Sequence, residues 1–253
     1  MFPDIKNKKI IVTGASRGLG AEAAVALAEL GANLLLIART KKDLEAVRMR
    51  CKNPNRHLSI AADLTNIELL ENSIQKAKSF LKSIDCIVHA AGGGLKKYDP
   101  LLDFKDLMLL FTLNVGAAAQ INNLVIPDMV KRKRGNIVHV GSIAGRESIA
   151  SVGYYTAKAA LNMYVRSLGR EFAGTGIVIT GVNPGGFIAP GNSMERLRTN
   201  NPEHFKNFAE KLPRKRLAEA SEIIPMVLFL CSDKASMMGG CMVPIDAGEG
   251  IST

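Results

Sequence analysis

The sequence lacks tryptophan, and aromatic residues make up only 5% of its 253 residues. The densest basic clusters, KRKR (131–134) and PRKR (213–216), therefore contain no interleaved aromatic side chains on which nucleobases could stack. A nucleic-acid-binding surface is not supported, and we interpret both clusters as solvated helix ends rather than binding patches.

Cysteine and histidine are also scarce and scattered, with four of each. The cysteines form no CxxC pair, so we expect reduced, core-filling thiols rather than a disulfide or a metal site. The histidines show neither HxxxH nor HExxH spacing, and no catalytic metal is expected.

No unbroken apolar run reaches the roughly 20 residues that a membrane-spanning helix needs. The N-terminal stretch MFPDIKNKKIIVTG has neither the apolar core nor the cleavage site of a signal peptide. We therefore expect a cytoplasmic protein without a membrane partner. The net charge of +10 favours anionic partners, such as a phosphorylated cofactor or an acidic carrier protein.

Apolar residues make up 47% of the chain, which is enough for a sizeable core. Short runs rich in Ile, Val and Leu alternate with amphipathic segments, a pattern typical of parallel strands covered on both faces. The sequence predicts an α/β fold, a single-domain Rossmann-type doubly wound parallel sheet of about seven strands with helices on both faces. The predicted strands are 9–14, 33–39, 57–63, 84–92, 136–142, 177–185 and 241–248.

We expect residues 1–253 to form one domain, interrupted by a polar insert at about 188–220 that has a helical middle, PEHFKNFAEKL. An insert after the carboxyl end of a strand lies where ligands bind in such sheets. We interpret it as a substrate lid, with a plain surface excursion as the alternative.

The segment TGASRGLG (13–20) joins the first strand to a helix. Its glycines allow a tight turn and close backbone approach, and the free N–H groups at the helix start suit a pyrophosphate. The second strand ends at Arg39 and Thr40, where an NAD site usually has an acidic residue. Because guanidinium groups grip a 2′-phosphate, Arg39 and Arg17 favour NADP(H) over NAD(H).

Residues at the ends of two further strands are expected to contact the cofactor. Asp63 ends the third strand, where it could accept from the adenine amino group or cap the following helix. HAAGGG (89–94) ends the fourth strand, and its small residues Ala90, Ala91 and Gly92 would let the cofactor lie against the backbone. His89 is interpreted as a packed, hydrogen-bonded residue.

A serine, two tyrosines and a lysine lie near the end of the fifth strand and on the helix that follows. On that helix Tyr154 lies about 40° and Tyr155 about 60° from Lys158, so both tyrosines neighbour the lysine. A nearby ammonium lowers the pKa of a phenol, which makes such a pair suitable for acid–base chemistry. Helix geometry alone does not choose between the two tyrosines.

The pieces together resemble the short-chain dehydrogenase/reductase family over nearly the whole chain. They are, in order, TGASRGLG, Asp63, the AAG of HAAG, Asn114, Ser142, YYTAK and NPG (183–185). The family's YxxxK pattern selects Tyr154. The resemblance implies that Tyr154 is the general acid/base, Lys158 lowers its pKa, Ser142 binds the substrate oxygen and Asn114 belongs to a proton relay.

The resemblance also implies the set of cofactor contacts. They are Gly14, Ser16, Arg17, Gly18, Leu19, Gly20, Arg39, Thr40, Asp63, Leu64, Ala90, Ala91, Gly92, Tyr154, Lys158, Pro184, Gly185 and Phe187. Ala189 stands where the family often has a threonine that contacts the carboxamide. Members of the family are commonly homotetramers, so we expect a homo-oligomer, a tetramer or a dimer.

The substrate class stays open between a 3-oxoacyl thioester on a carrier protein and a sugar, polyol or small ketone. PRKRLAEASEI and the basic charge fit the first, and a small substrate fits as well. A non-catalytic dinucleotide-binding sensor is the alternative outside the enzyme class.

Overall fold

The computed structural model describes residues 2–148 and 150–251. All seven predicted strands form one parallel sheet, whose spatial order is β3-β2-β1-β4-β5-β6-β9. These strands are β1 (Lys9–Thr13), β2 (Asn33–Ala38), β3 (Leu58–Ala61), β4 (Cys86–His89), β5 (Gly135–Val140), β6 (Ile177–Pro184) and β9 (Met242–Ile245). A separate two-stranded parallel ladder pairs β7 (Phe187–Ile188) with β8 (Ala218–Glu219).

Helices cover both faces of this sheet, and their residues form two apolar cores. They are α1 (Gly18–Glu29), α2 (Lys41–Arg50), α3 (Ile67–Leu81), α4 (Phe104–Phe111), α5 (Ala117–Arg132), α6 (Val152–Glu171), α7 (Ser193–Asn200), α8 (Pro202–Lys211) and α9 (Ala220–Cys231). Alternate residues of one strand point to opposite faces, so Ile10 packs with α1, α2 and α9 while Ile11 packs with α3, α5 and α6. The predicted doubly wound α/β fold is confirmed.

Strand ends differ from the sequence-based boundaries, mainly at the carboxyl side. The third strand ends at Ala61 instead of Asp63, and the fourth at His89 instead of Gly92. The chain turns at these points, where the Asp63 side chain bonds Thr65 and the Asn114 amide bonds the Gly93 backbone. These shorter strands leave the predicted ligand residues in loops at one edge of the sheet.

Two expectations about apolar residues need correction. Cys241 is exposed, whereas the other three free cysteines are buried as expected. Within the described residues, the continuous helical stretch Phe104–Arg132 has the length and mean hydropathy, 1.4, of a membrane span. The search for unbroken apolar runs did not find this helical stretch, because asparagines and a glutamine interrupt its apolar residues. Its residues Ile121, Val125 and Met129 pack on the sheet, as in the core helix of a globular domain.

The insert after β6 contains α7 and α8, and its ends are joined by the ladder in which Phe187 pairs with Ala218. A small apolar cluster of its own holds it together, with Ile188, Leu212 and Leu217 at the centre. The insert is thus a compact excursion tied to the sheet at its base, and its role as a lid stays a prediction.

Candidate active site

The site lies at the carboxyl edge of the sheet, where β1 and β4 are neighbours and the strand order reverses direction. Ligands of open α/β sheets bind in the crevice at this point. Gly14 follows β1 and Ala91 follows β4, and a side chain at Gly14 would meet the Ala91 nitrogen at 2.6 Å. The close approach of these two loops therefore requires glycine at position 14.

The glycine turn has the backbone that its sequence predicts. Gly14 and Gly18 adopt φ values of +65° and +62°, which favour glycine. A side chain at Gly20 would meet the Gly14 oxygen at 2.5 Å, so the turn packs directly on the start of α1. These features fit a pyrophosphate lying against the backbone at a helix N-terminus. The Gly18 N–H donates to the Pro190 oxygen at 2.8 Å, which joins the insert to this turn.

Arg17, Arg39 and Thr40 are exposed at this edge. No ion pair engages either arginine in the part of the chain that the structure describes, so both guanidinium groups are available to an anion. Leu64 and Pro184 are buried, whereas Ser16, Gly185 and Phe187 are partly exposed.

Asp63 does not cap the following helix, because that cap is Asn66, whose Oδ1 accepts from the Leu69 N–H. Asp63 instead accepts from the Thr65 N–H and hydroxyl at 2.9 and 2.8 Å. The Thr65 N–H is the main reason that its pKa lies below the usual value. The capping interpretation was wrong, and an adenine contact stays a prediction.

The four residues predicted for catalysis converge at the other end of the same edge. Ser142 begins the loop after β5, and its N–H donates to Asn183 Oδ1 at 3.0 Å. The Ser142 side chain faces the Tyr154 hydroxyl closely enough to lower its pKa. Lys158 Nζ lies 5.8 Å from the centroid of the Tyr154 ring and donates to the Val140 oxygen at 2.8 Å.

Gly92 shows how closely Asn114 and Lys158 approach each other. A side chain there would meet Asn114 Oδ1 at 2.8 Å and Lys158 Nζ at 3.1 Å. Asn114 lies in a π-helical turn, Thr112–Gly116, between α4 and α5. Its amide bonds both backbone groups of Gly93, at 3.0 and 3.1 Å. Such turns often occur at functional sites, because they displace side chains from regular helical positions.

Burial sets the protonation behaviour of the tyrosine–lysine pair. It raises the pKa of Tyr154, and the Ser142 hydrogen bond only partly offsets this effect. Burial also lowers the pKa of Lys158, to about 8. Lys158 is not among the causes of this shift, so the expectation that it lowers the pKa of Tyr154 stays a prediction. The ammonium is the more acidic partner and exchanges its proton close to neutral pH.

Sequence reasoning missed several groups at this site. Asn183 was noticed only as part of NPG, although it holds the Ser142 backbone. Glu249 Oε2 accepts from the Gly186 N–H, and Glu147 Oε1 accepts from the Ile251 N–H, so the C-terminal segment is held against the loops that follow β5 and β6. Burial raises the pKa of Glu249. No local pattern could have revealed these long-range contacts.

One layer below the site, His89 and His139 are buried on the face of the sheet that α5 and α6 cover. His89 is packed and bonded to Asn122, as the sequence interpretation expected. Burial lowers the pKa of His89 to about 4 and holds that of His139 well below its usual value.

This burial predicts acid sensitivity of the fold. Because the folded pKa of His89 lies below the unfolded value near 6.5, stability is complete above pH 6.5 and is lost as pH falls toward 4. From His89 alone we expect the free energy of unfolding to drop by about 2 kcal/mol between pH 7 and pH 5. Urea unfolding of the wild type and His89→Asn at both pH values measures it. An equal drop in the variant contradicts the assignment.

The fold and the site together define a class, the oxidoreductases that bind a nicotinamide dinucleotide at a doubly wound sheet. The family model "short chain dehydrogenase" matches residues 8–200, and the chain belongs to this family. It is 30% identical over 247 residues to an L-xylulose reductase of Caenorhabditis elegans, covering 97% of this chain and 96% of that protein. It is 29% identical to oxidoreductase UcpA of Escherichia coli K12, covering 97% and 95%.

Solved structures agree with the fold. The L-sorbose reductase of Gluconobacter frateurii, complexed with NADPH and L-sorbose, superposes with a TM-score of 0.90 at 26% identity over 100% of both chains. A 3-oxoacyl (acyl-carrier-protein) reductase of Agrobacterium tumefaciens C58 with NADP bound superposes with a TM-score of 0.89 at 26% identity, covering 98% of this chain and 96% of that one.

Proposed function

We propose that the protein is an NADP(H)-dependent oxidoreductase that interconverts a carbonyl and an alcohol on a small polar substrate, such as a sugar or polyol. The observation that carries this proposal is the convergence of Ser142, Tyr154 and Lys158 at the carboxyl edge of the sheet, next to Gly92 in the loop after β4. A purely dinucleotide-binding sensor would not need a half-buried phenol placed between a serine and an amine.

Each residue has a defined task in this mechanism. A bound nicotinamide supplies or accepts the hydride. The Ser142 hydroxyl orients the substrate oxygen and stabilises the negative charge that develops on it. In reduction, the Tyr154 hydroxyl donates its proton to that oxygen, and in oxidation it accepts one. Lys158, with its pKa lowered to about 8, returns the proton to Tyr154, while Asn114 holds the relay in place.

The charges at the adenosine end support NADP(H). Arg17 and Arg39 are exposed cations that form no salt bridge among the described residues, although Arg39 lies near enough to Asp63 to lower its pKa, and no acidic residue follows β2 at positions 39 and 40. A guanidinium can form paired, charge-assisted hydrogen bonds with a 2′-phosphate. The two relatives with solved structures, which hold NADPH and NADP, are consistent with this choice.

Two observations favour a small polar substrate over an acyl group on a carrier protein. Arg216 makes two hydrogen bonds of 2.7 Å to Glu222, and Arg214 lies 3.4 Å from the same carboxylate. The basic cluster 213–216 is therefore partly neutralised and less suited to an acidic carrier. The C-terminal segment also carries Glu249 next to Gly186, and a carboxylate can accept hydrogen bonds from hydroxyl groups of a substrate.

The expected homo-oligomer also stays part of the proposal. Apolar side chains are exposed on α4 and on the loop before it, including Leu101 at 88% and Phe104 at 78%. A second copy of the chain covering this surface would remove them from water.

A substrate panel tests the proposal directly. We expect oxidation of NADPH with ketoses and small hydroxyketones, and much slower oxidation with acyl thioesters or with NADH. Turnover restricted to acyl thioesters would overturn the substrate class. Tight NADPH binding without turnover of any carbonyl or alcohol would support the sensor instead.

A further inference from the structure

Beneath the active site, two histidines face each other across neighbouring strands. His89 of β4 and His139 of β5 are register partners, so their side chains leave the same face of the sheet about one strand spacing apart. Their rings stack with centroids 4.7 Å apart and planes inclined by 25°. Tyr164 of α6 packs edge-on against His139 at 5.9 Å.

Hydrogen bonds account for His89 but leave His139 incomplete. Asn122 donates its amide to the Tyr164 hydroxyl at 3.1 Å, so its Oδ1 accepts from His89 Nε2 at 2.9 Å. His89 is then neutral with its proton on Nε2. His139 has no exposed surface, and neither of its ring nitrogens has a hydrogen-bond partner among the described residues. The N–H of this buried neutral imidazole has no acceptor, and its other ring nitrogen has no donor.

A cavity of about 10 Å³ adjoins the histidine pair. Four polar residues line it, namely Thr13, His89, Asn114 and His139, and its other walls are apolar side chains of the surrounding strands and helices. A space of roughly 10–15 Å³ with two to four polar partners is what one buried water molecule needs. Water is also a partner that can donate to one imidazole nitrogen and accept from another.

We propose that this cavity is a binding site for one water molecule, and that His139 and His89 hold this water as a brace behind Asn114. His139 is thereby a positioning residue, and this part of the inference rests on the proposed function. The cavity separates strands β4 and β5 from Leu113, Asn114 and Ala117, which belong to the π-helical turn and the start of α5. A water fixed on the sheet side limits movement of that turn.

Neutral histidines are necessary for this role. A positive charge on His139 would be repelled by the charge of Lys158. It would also lie close to His89, whose ring centroid is 4.7 Å away. Tyr164 is the remaining titratable group that faces the pair, and it is neutral at physiological pH because burial raises its pKa. The site therefore keeps its water over the pH range in which Lys158 exchanges protons.

High-resolution crystallography of the NADPH complex tests the water site without reference to activity. We expect an ordered water within hydrogen-bond distance of a His139 ring nitrogen in the wild type and in His139→Asn, which keeps a donor and an acceptor. The apolar variant His139→Leu is expected to be dry. A dry cavity in the wild-type complex overturns the proposal, whether or not the enzyme acts on any tested carbonyl.

Kinetics then test the positioning role. In His139→Leu we expect kcat to fall about tenfold with little change in substrate KM or in the Kd of NADPH, because displacement of Asn114 disturbs the relay and not binding. His139→Asn should restore most of the activity. Equal losses in both variants, or none in either, contradict the positioning role. If His139→Leu does not fold, unchanged kcat and an ordered water in His139→Asn support the proposal, and loss of the water there overturns it.

His57 offers a matched control. It is a buried histidine whose ring nitrogens are both bonded, to the Leu34 N–H at 3.2 Å and the Lys52 oxygen at 2.9 Å, and it lies at the opposite end of the strands. His57→Leu should lower stability while kcat and its pH profile stay at wild-type values. A comparable loss of kcat there would show that removal of any buried histidine slows the enzyme.

Discussion

Replacing Tyr154 with phenylalanine is expected to lower kcat about a thousand-fold, because the change removes the group that exchanges a proton with the substrate oxygen. The phenol is half-buried and faces Ser142, and Lys158 Nζ lies 5.8 Å from the centroid of its ring. Phenylalanine keeps this packing, so the Kd of NADPH should stay within about twofold of the wild-type value. Stopped-flow turnover and NADPH fluorescence titration measure the two quantities.

Tyr155→Phe is the control, since it removes the same hydroxyl from the next position of the same helix. Its kcat should remain close to that of the wild type. If Tyr155→Phe were inactive and Tyr154→Phe active, the assignment would move to the tyrosine that stands thirteen residues after Ser142. If both variants retained activity, the proton would have to come from another group.

Replacing Arg39 with aspartate is expected to raise the Kd of NADPH about a hundredfold while leaving that of NADH nearly unchanged. Hydrogen bonds from a charged donor contribute about 1.5–3 kcal/mol each, and the new carboxylate would also repel the 2′-phosphate. The same change should bring kcat/KM with NADPH down toward the value with NADH. Titration of both cofactors at fixed ionic strength provides the measurement.

Arg56→Asp serves as the control for net charge. Arg56 is exposed and bonds Asn33 at the amino end of β2, whereas Arg39 follows the carboxyl end of the same strand. The two variants change the net charge equally. A general loss of affinity in both would indicate long-range attraction by the basic surface, and the 2′-phosphate assignment to Arg39 would then be wrong.

The sequence predicted the sheet well, because buried parallel strands require unbroken Ile, Val and Leu, and such runs are visible along the chain. It predicted strand ends less well, since Asp63 and Thr65 make side-chain hydrogen bonds that end the ladder, and these depend on local geometry. The choice between Tyr154 and Tyr155 needed the family pattern. The structure adds a physical criterion, because Ser142 faces Tyr154 closely enough to lower its pKa.

Other features could not have been predicted from local sequence. Glu249 reaches Gly186 from more than sixty residues away, and no periodicity encodes that contact. The stacking of His89 on His139 depends on strand register, and the pKa of Tyr154 depends on how fully the phenol is desolvated. Sequence composition therefore predicted the framework, whereas contacts across the sheet determine the electrostatics of the site.

The two-residue ladder between Phe187 and Ala218 has a consequence for how this chain can diversify. Because the insert leaves and rejoins the sheet at adjacent points, closing it demands almost no change elsewhere, whatever its length. It also carries its own apolar centre, and Ala189 is its main contribution to the larger core. A related insert could replace this one between Phe187 and Ala218. Substrate selectivity could then change, by engineering or by evolution, while Ser142, Tyr154 and Lys158 stay as they are.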